Sequence, residues 1–391
     1  MAMKITVAAG PHDRRFVPVC ATLPNPGNAK SATLVQWKPN RKDSEILPPP
    51  ITGQIDRTDG DEATLTFVVP WIPRNSSVTY EVTFSNDPAP QKASLAKLGN
   101  GNVEITLAGD RLGTYHGEEK WVRPFLEPLM GPFGKSVTRG WPANGRPGEA
   151  EDHPHHKSVW VAHGDVNGVD NWSEAKSCGR QVQKEMLQCE SGSVYGVLET
   201  RNDWVGNDGT KVLEDRRKFT FYAMPGALRM FDVEVEFTAT EGPVKFGDTK
   251  EGGILAVRVA TTIDVPRTGR IRNAEGGVDE PETWGKRSAW CDYSGLDEGG
   301  NLVGIAVLNH PNSNRYPTHW HVRNYGLMTA NPYGLHDFAG DESVDGSQSI
   351  AKGEKLWFGY RVYVHAGDAD GAHVADAFHA YINPPKVTVE A

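Results

Sequence analysis

Basic charge is in short supply in this sequence. Lys and Arg number 41 against 50 Asp and Glu, a formal net charge of −9. No basic excess exists to displace counterions from a nucleic-acid backbone, so no nucleic-acid partner is expected. A neutral or cationic ligand is electrostatically easier, although a local Arg/Lys cluster can override that average. Long apolar runs are missing as well: no window approaches the roughly 20 residues of a membrane helix, so no membrane partner is expected. The opening "MAMKITVAAGPHDRRF" carries one lysine and no apolar stretch of signal-peptide length. The four cysteines (Cys20, Cys178, Cys189, Cys291) form no CxxC pair. That argues against a thiolate zinc site and points to reduced, mostly packing cysteines and a cytoplasmic location. A Cys178–Cys189 bridge across a hairpin is the one pairing that the spacing leaves open. There is no P-loop, no GxGxxG between a strand and a helix, and no internal repeat, which argues against nucleotide-dependent chemistry.

What the sequence has is turns and short β-rich runs. With Gly 42 and Pro 27, it is punctuated for many strands instead of long helices. "RFVPVCATL", "ATLVQWK", "EATLTFVVP" and "SVTYEVTF" predict a small N-terminal β-sandwich. The segment "SNDPAPQKAS", Ser85 to Ser94, has linker composition and divides a unit at 1–92 from a second at 93–391. In the second, "NVEITLAG", "SVYGVLETRNDWV", "RKFTFYAM", "LRMFDVEVEFTAT", "GGILAVRVATTI", "NLVGIAVLNH" and "KLWFGYRVYVHAG" read as strands of a large antiparallel sandwich. Alternation places Phe231, Val233, Val235 and Phe237 on one face and Asp232, Glu234 and Glu236 on the other. In "LWFGYRVYVH" the second face, Trp357, Arg361, Tyr363 and His365, is aromatic and polar, as suits a face lining a cleft. "DADGAHVADAFHAYI" is the one convincing helix; its His373 and His379 read as surface or packing histidines, since no Glu completes a helical zinc motif.

Four of the 13 histidines crowd into "EDHPHHKSVWVAHGDVNG": His153, His155, His156 and His163. Pro154 favours an extended His153, and in an extended segment neighbours point to opposite faces, so only one of His155 and His156 shares a face with His153. "SVWVAH" reads as a strand with Trp160 and Ala162 on one face, Val161 and His163 on the other. In "RYPTHWHVRNYGLMTANPYGLHDF", His319 and His321 project together from an extended segment, with Trp320 opposite. Such a pair can bind a metal, a sugar or a proton, or serve structure alone. In "KFGDTKEGGILAVRVA", Asp248, Lys250 and Glu251 precede an apolar strand. Glu251 or Asp248 is a candidate general base or metal ligand beside Lys250, against the alternative of a solvated loop.

"KWVRPFLEPLMGPFGKSVTRGW" is too rich in Pro and Gly for regular structure. Its Trp121, Phe125, Leu129, Phe133 and Trp141 call for burial, while Arg123 and Arg139 either bind a carboxylate or sugar hydroxyls or anchor the loop through backbone carbonyls. "GRIRNAEG" and "WGKRSAWCDYSG" add Arg270, Arg272, Trp284, Arg287, Trp290 and Asp292, with indoles available for stacking on pyranose rings.

Five of these stretches, "RPFLEPLMGPFGKSVTRG", "DHPHHKSVWVAHGDVNGVDNW", "GDTKEGG", "WGKRSAWCDYSG" and "HPNSNRYPTHWHVRNYGLMTANPYG", resemble the successive signature blocks of the DUF6807 family, from about Gly101 to the C-terminus. That family has often carried the label "PmoA", after a methane monooxygenase subunit. A membrane subunit of that kind needs several transmembrane helices, and this sequence offers none. The resemblance implies an all-β fold, a β-supersandwich like that of galactose mutarotases and of several glycoside hydrolases and polysaccharide lyases, and a role in carbohydrate catabolism. Mutarotase motifs are not visible, so epimerase activity does not carry over, and no catalytic assignment does either.

Together these readings predict a carbohydrate-active enzyme, a hydrolase or lyase, working by His/Glu acid–base chemistry (glycoside cleavage, elimination or epimerisation) on a small sugar or glycoside. The catalytic candidates are His156, His163, Glu251, His319 and His321, and the substrate-binding candidates Arg123, Arg139, His155, Trp160, Asp248, Lys250, Trp320 and Tyr333. A carboxylate pair would need a second acid from Asp165, Asp248 or Asp292. No cofactor is required by this scheme. One alternative makes the same histidines ligands of a divalent metal. Another is a non-catalytic carbohydrate-binding protein. The oligomeric state is left open, a homo-oligomer included.

Overall fold

A computed structural model describes residues 3–39, 46–57 and 60–390. The β-rich runs form three large sheets whose neighbouring strands pair antiparallel. The front sheet runs in the order Trp320–Arg323, Leu327–Ala330, Gly252–Arg258, Val159–His163, Phe125–Glu127, Asp110–His116, Asn102–Leu107, Ala93–Gly99. The back sheet runs Arg180–Glu190, Tyr195–Val205, Lys211–Tyr222, Arg229–Thr238, Lys355–Ala366, Leu302–Asn309, Trp290–Leu296, Arg270–Asn273. The large antiparallel sandwich expected from the sequence is thus the frame of the molecule.

Period-2 alternation explains why the sheets stack. Phe231, Val233, Val235, Phe237, Phe358, Tyr360, Val362 and Val364 from the back sheet meet Val159, Val161, Leu255, Val257, Trp320 and Val322 from the front sheet in one continuous core. Burying each such side chain fully contributes roughly 1.5–3 kcal/mol. Asp232, Glu234 and Glu236 point out of the back sheet, where Asp232 pairs with Arg361, Glu234 with Lys218 and Glu236 with Lys355.

The N-terminal runs form a seven-stranded sheet in the order Arg14–Pro24, Glu62–Ile72, Ile51–Arg57, Ser31–Trp37, Ser77–Ser85, Met3–Ala8, Lys386–Glu390. Its last member comes from the C-terminus, in register Lys4 opposite Glu390, so a division of the chain at residue 92 leaves this strand with the wrong partners. The segment read as a linker connects Ser77–Ser85 to Ala93–Gly99. This sheet docks on the back sheet: Gln54 Oε1 accepts the Val194 and Tyr195 amides at 3.0 and 3.1 Å, and the Tyr195 hydroxyl donates to Asp56 at 2.7 Å. The helix Val374–Ile382 covers another part of the back sheet, packing Val374 and Phe378 on Trp290, Ala306 and Leu308. The Arg361 and Tyr363 face therefore lies under other elements. Among the described residues no helix is long and apolar enough to cross a membrane, and all four cysteines are free. The outer face of the front sheet carries neither cover.

Candidate active site on the front sheet

The histidine loop is a turn, not the extended segment expected. His153 takes a positive φ of 43°. Pro154 occupies the second position of a turn closed by the His156 amide donating to the His153 carbonyl at 3.0 Å, a place that suits its fixed φ. Three imidazoles meet as a result: ring centroids are 4.8 Å apart for His153 and His156, 4.3 Å for His155 and His156, and 5.8 Å for His153 and His155. Arg139 pins the turn by donating to the carbonyls of Ala150, Asp152, His153 and His156. Arg123 does the same for His155, Trp172 and Ser173. The Arg139 and Arg123 side chains are 0% and 1% exposed. Both arginines are loop anchors, which corrects their expected role as substrate ligands.

At the centre of the face stands Tyr325, in the turn between the strands Trp320–Arg323 and Leu327–Ala330. Its ring lies parallel to those of His153 and His156, at 5.0 and 6.4 Å, and the guanidiniums of Arg258 and Arg323 sit 4.9 and 5.6 Å from its centroid. Burial pushes the Tyr325 hydroxyl pKa up, Arg323 and Arg258 oppose that, and Glu251 and Asp152 add to it. The hydroxyl finds no hydrogen-bond partner among the described residues. Asp152 bridges Arg139 at 2.6 Å and Arg258 at 2.7 Å. Arg258 also donates to His156 Nδ1 at 3.2 Å; since arginine only donates, the His156 proton belongs on Nε2. Burial drives the His156 pKa well below its ordinary value, and burial with Arg123 takes His155 down to about 3. Trp160 forms the floor, 2% exposed and 5.5 Å from His156, so it supports the histidines from below instead of facing a ligand.

Beside this group, His319 and His321 project from the same face, both against Phe338 at 5.7 and 6.4 Å, and His321 against Trp284 at 6.4 Å. Trp320 points the opposite way, 1% exposed in the core between the sheets, which removes it from the substrate-binding candidates. Burial and Arg287 lower His319 to about 4; burial, Arg323 and Lys250 lower His321 to about 3. Lys250 and Glu251 pair at 3.1 Å and are more than a third exposed, with Lys250 acting on His321 and Glu251 on Tyr325. Asp248 has a different task. It accepts the His336 and Gly346 amides and meets His336 Nδ1 at 2.8 Å, clasping the short helix Leu335–Ala339 that carries Phe338.

The expectations for His163, Tyr333, Asp292 and Asp165 are also corrected. His163 alternates onto the core side of its strand, 0% exposed, with Nε2 donating to the Gly247 carbonyl at 2.9 Å and its ring against Phe246 and Tyr333. Tyr333 is likewise fully buried there. Neither reaches the face that holds His319. Asp292 is buried in the back sheet against His365 at 2.8 Å, and Asp165 accepts its own turn's Gly168 amide, so neither supplies a second acid beside Glu251.

The front face thus gathers His156, His155, His319, His321, Lys250 and Glu251 of the expected residues, and adds Tyr325, Arg258, Asp152, His153, Arg323 and Phe338. At neutral pH the lowered imidazoles are uncharged, able to accept or donate a hydrogen bond but not to act as imidazolium acids. Tyr325 lies in the stretch of His319 and His321, and Arg258 in that of Glu251, but nothing local marks either residue; only the turn geometry and the strand pairing bring them together. Among the described residues no group of three or more His, Cys, Asp or Glu is placed to hold a metal ion.

No curated protein matches this chain. Among solved structures, an alpha-mannosidase from Enterococcus faecalis V583 aligns with a TM-score of 0.41 at 10% identity, over 100% of this chain and 46% of that one. A glycosyl hydrolase family 38 protein from Enterococcus faecalis aligns with a TM-score of 0.40 at 10% identity, over 100% of this chain and 47% of that one. The chain spans about half the length of either, and neither likeness is close enough for a shared activity to follow. A family model matches residues 102–379, which hold all the front-face residues named above and more than half of the 391-residue chain, and by that match the chain belongs to DUF6807, a family of unknown function.

Proposed function

We propose that this protein is a carbohydrate-active enzyme that performs proton-transfer chemistry on a sugar or glycoside at the outer face of the front sheet. The observation that carries the reading is the placement of Tyr325, whose ring lies 4.9 and 5.6 Å from the Arg258 and Arg323 guanidiniums, whose charge Asp152 and Glu251 also influence, and whose hydroxyl has no partner among the described residues. A phenol is protonated at neutral pH and so has a proton to donate; burial works against its release, and the two guanidiniums, which oppose that effect, stabilise the phenolate left behind. Glu251 is the proton acceptor. The neutral His156, His319 and His321 hold sugar hydroxyls, which both donate and accept hydrogen bonds, and the aromatic rings offer an apolar surface to the face of a pyranose. In glycoside cleavage, Glu251 takes a proton from water as its oxygen bonds to the anomeric carbon. The bond to the leaving oxygen breaks, Tyr325 protonates that oxygen, and solvent returns the proton from Glu251 to Tyr325.

The test is a panel of nitrophenyl glycosides and reducing sugars followed by absorbance and NMR. Positioned acid–base groups contribute about 10²–10⁴-fold, so Tyr325→Phe and Glu251→Gln are each expected to lower kcat by about that factor with thermal stability retained. Full activity in both variants sinks this assignment. Loss of activity on chelation, restored by Zn²⁺ or Mn²⁺, favours the metal-dependent alternative; binding without turnover favours the non-catalytic one.

A further inference from the structure

Next to Tyr325 the front face opens into a cleft of about 440 Å³ lined by Glu280, Pro281, Trp284, Lys286, Asn324 and Phe338, within the roughly 300–1,000 Å³ range of small-ligand sites. We propose that this cleft is a subsite for a second sugar ring, so that the ligand is a glycosidically linked saccharide of at least two units and not a free monosaccharide. The inference rests on the carbohydrate reading above and extends it.

The first support is a rigid aromatic corner. Trp284 and Phe338 meet edge to face at 5.3 Å and 85°, a favoured aromatic geometry that fixes both rings. Phe338 sits where two glycines make room. A Cβ on Gly285, which has φ +68°, would lie 3.0 Å from Phe338, and one on Gly334 would lie 2.9 Å from its ring. Asp248 clamps the helix from below. A platform fixed before binding loses little entropy when a ring settles on it.

The second is unmet polarity. His321 is 3% exposed and its Nδ1 has no partner among the described residues; Trp284 Nε1 is also buried without one. Such atoms are costly unless something completes them. A sugar offers both an acceptor for the indole N–H and a donor or acceptor for the imidazole, and its outer hydroxyls reach Glu280, Lys286 and Asn324 at the rim. A purely apolar aglycone leaves the indole N–H and the imidazole Nδ1 unpaired.

The third is continuity. Arg323 meets Glu280 at 2.8 Å on the cleft side and lies 5.6 Å from the Tyr325 ring on the other, while Asn324, which lines the cleft, is the residue before Tyr325. The two lobes are therefore contiguous through Arg323 and Asn324, as a ligand of two linked rings requires.

The experiment measures binding of glucose, galactose, mannose and xylose, each beside cellobiose, lactose, mannobiose and xylobiose, by calorimetry and tryptophan fluorescence on the full chain. At least one disaccharide is expected to bind tenfold or more tighter than its monosaccharide and to quench or shift the indole emission. Trp284→Ala is expected to erase that ratio and Trp284→Phe to restore most of it, with thermal unfolding confirming that both fold. Equal binding of each pair, or a tenfold ratio that survives Trp284→Ala, overturns the subsite and leaves the carbohydrate reading standing. Binding of none of the eight sugars overturns both.

Discussion

The outer faces of the two large sheets grow from the same antiparallel ladder and have opposite characters. On the back sheet the outward positions form cross-strand charge pairs, Glu236 with Lys355, Glu234 with Lys218 and Glu199 with Arg216, or lie beneath the N-terminal sheet and the helix Val374–Ile382. Each of these charges has its partner one strand away. On the front sheet the outward positions hold buried aromatic rings, uncharged histidines and arginines committed to backbone carbonyls, and most of these arrive from loops. Charge that is paired in water contributes little and specifies little. Polar groups gathered in a partly dry face shift one another's pKa values and leave atoms unpaired, which is what a reactive surface needs.

That contrast can be broken by mutation, and the largest effect is expected at an anchor. Arg139→Met removes the donors to four carbonyls on the histidine turn and is expected to cost about 3–5 kcal/mol, since buried acceptors are left without partners. Urea unfolding measures it, and a loss below about 1 kcal/mol would mean that the turn holds itself.

Acid comes next. His163 is 0% exposed and lowered to about 4 by burial, against 6.5 in an unfolded chain. Its folded pKa is depressed, so the unfolded state binds the proton more readily, and stability present above about pH 6.5 is lost as pH falls towards 4. By about pH 5 this one group is expected to remove about 2 kcal/mol. His155, His156, His319 and His321 shift in the same direction. His163→Gln should flatten the fall in urea midpoint between about pH 7 and about pH 5; an unchanged slope would show that the front-face histidines alone set it.

The smallest effect is expected on the back face. Lys355→Ala breaks a pair whose side chains are 53% and 30% exposed, and a change in stability of no more than about 1 kcal/mol is expected, shrinking further in salt. A larger loss there would erase the difference between the faces.

How far the sequence could be read follows the same line. The strands Arg229–Thr238 and Lys355–Ala366 were legible residue by residue because alternation is local, and His319 and His321 share a face, opposite Trp320, for the same reason. His163 was legible as lying opposite Trp160, but not as belonging to the core, because which face of a strand is buried depends on the sheet stacked against it. The histidine turn departs from the extended form that Pro154 favours for His153, because the closing hydrogen bond and the Arg139 anchor come from contacts that the dipeptide does not contain.

By itself, then, the sequence determined an all-β sandwich and its alternating faces, since these follow from a period of two and from turn residues. Only the tertiary structure decided that Lys386–Glu390 joins the first strands, that Arg123 and Arg139 are spent on carbonyls, and that Tyr325 stands among Arg258, Arg323 and Glu251. Those are contacts between residues far apart in the chain, and they are set by which sheets pack together and which face is left uncovered.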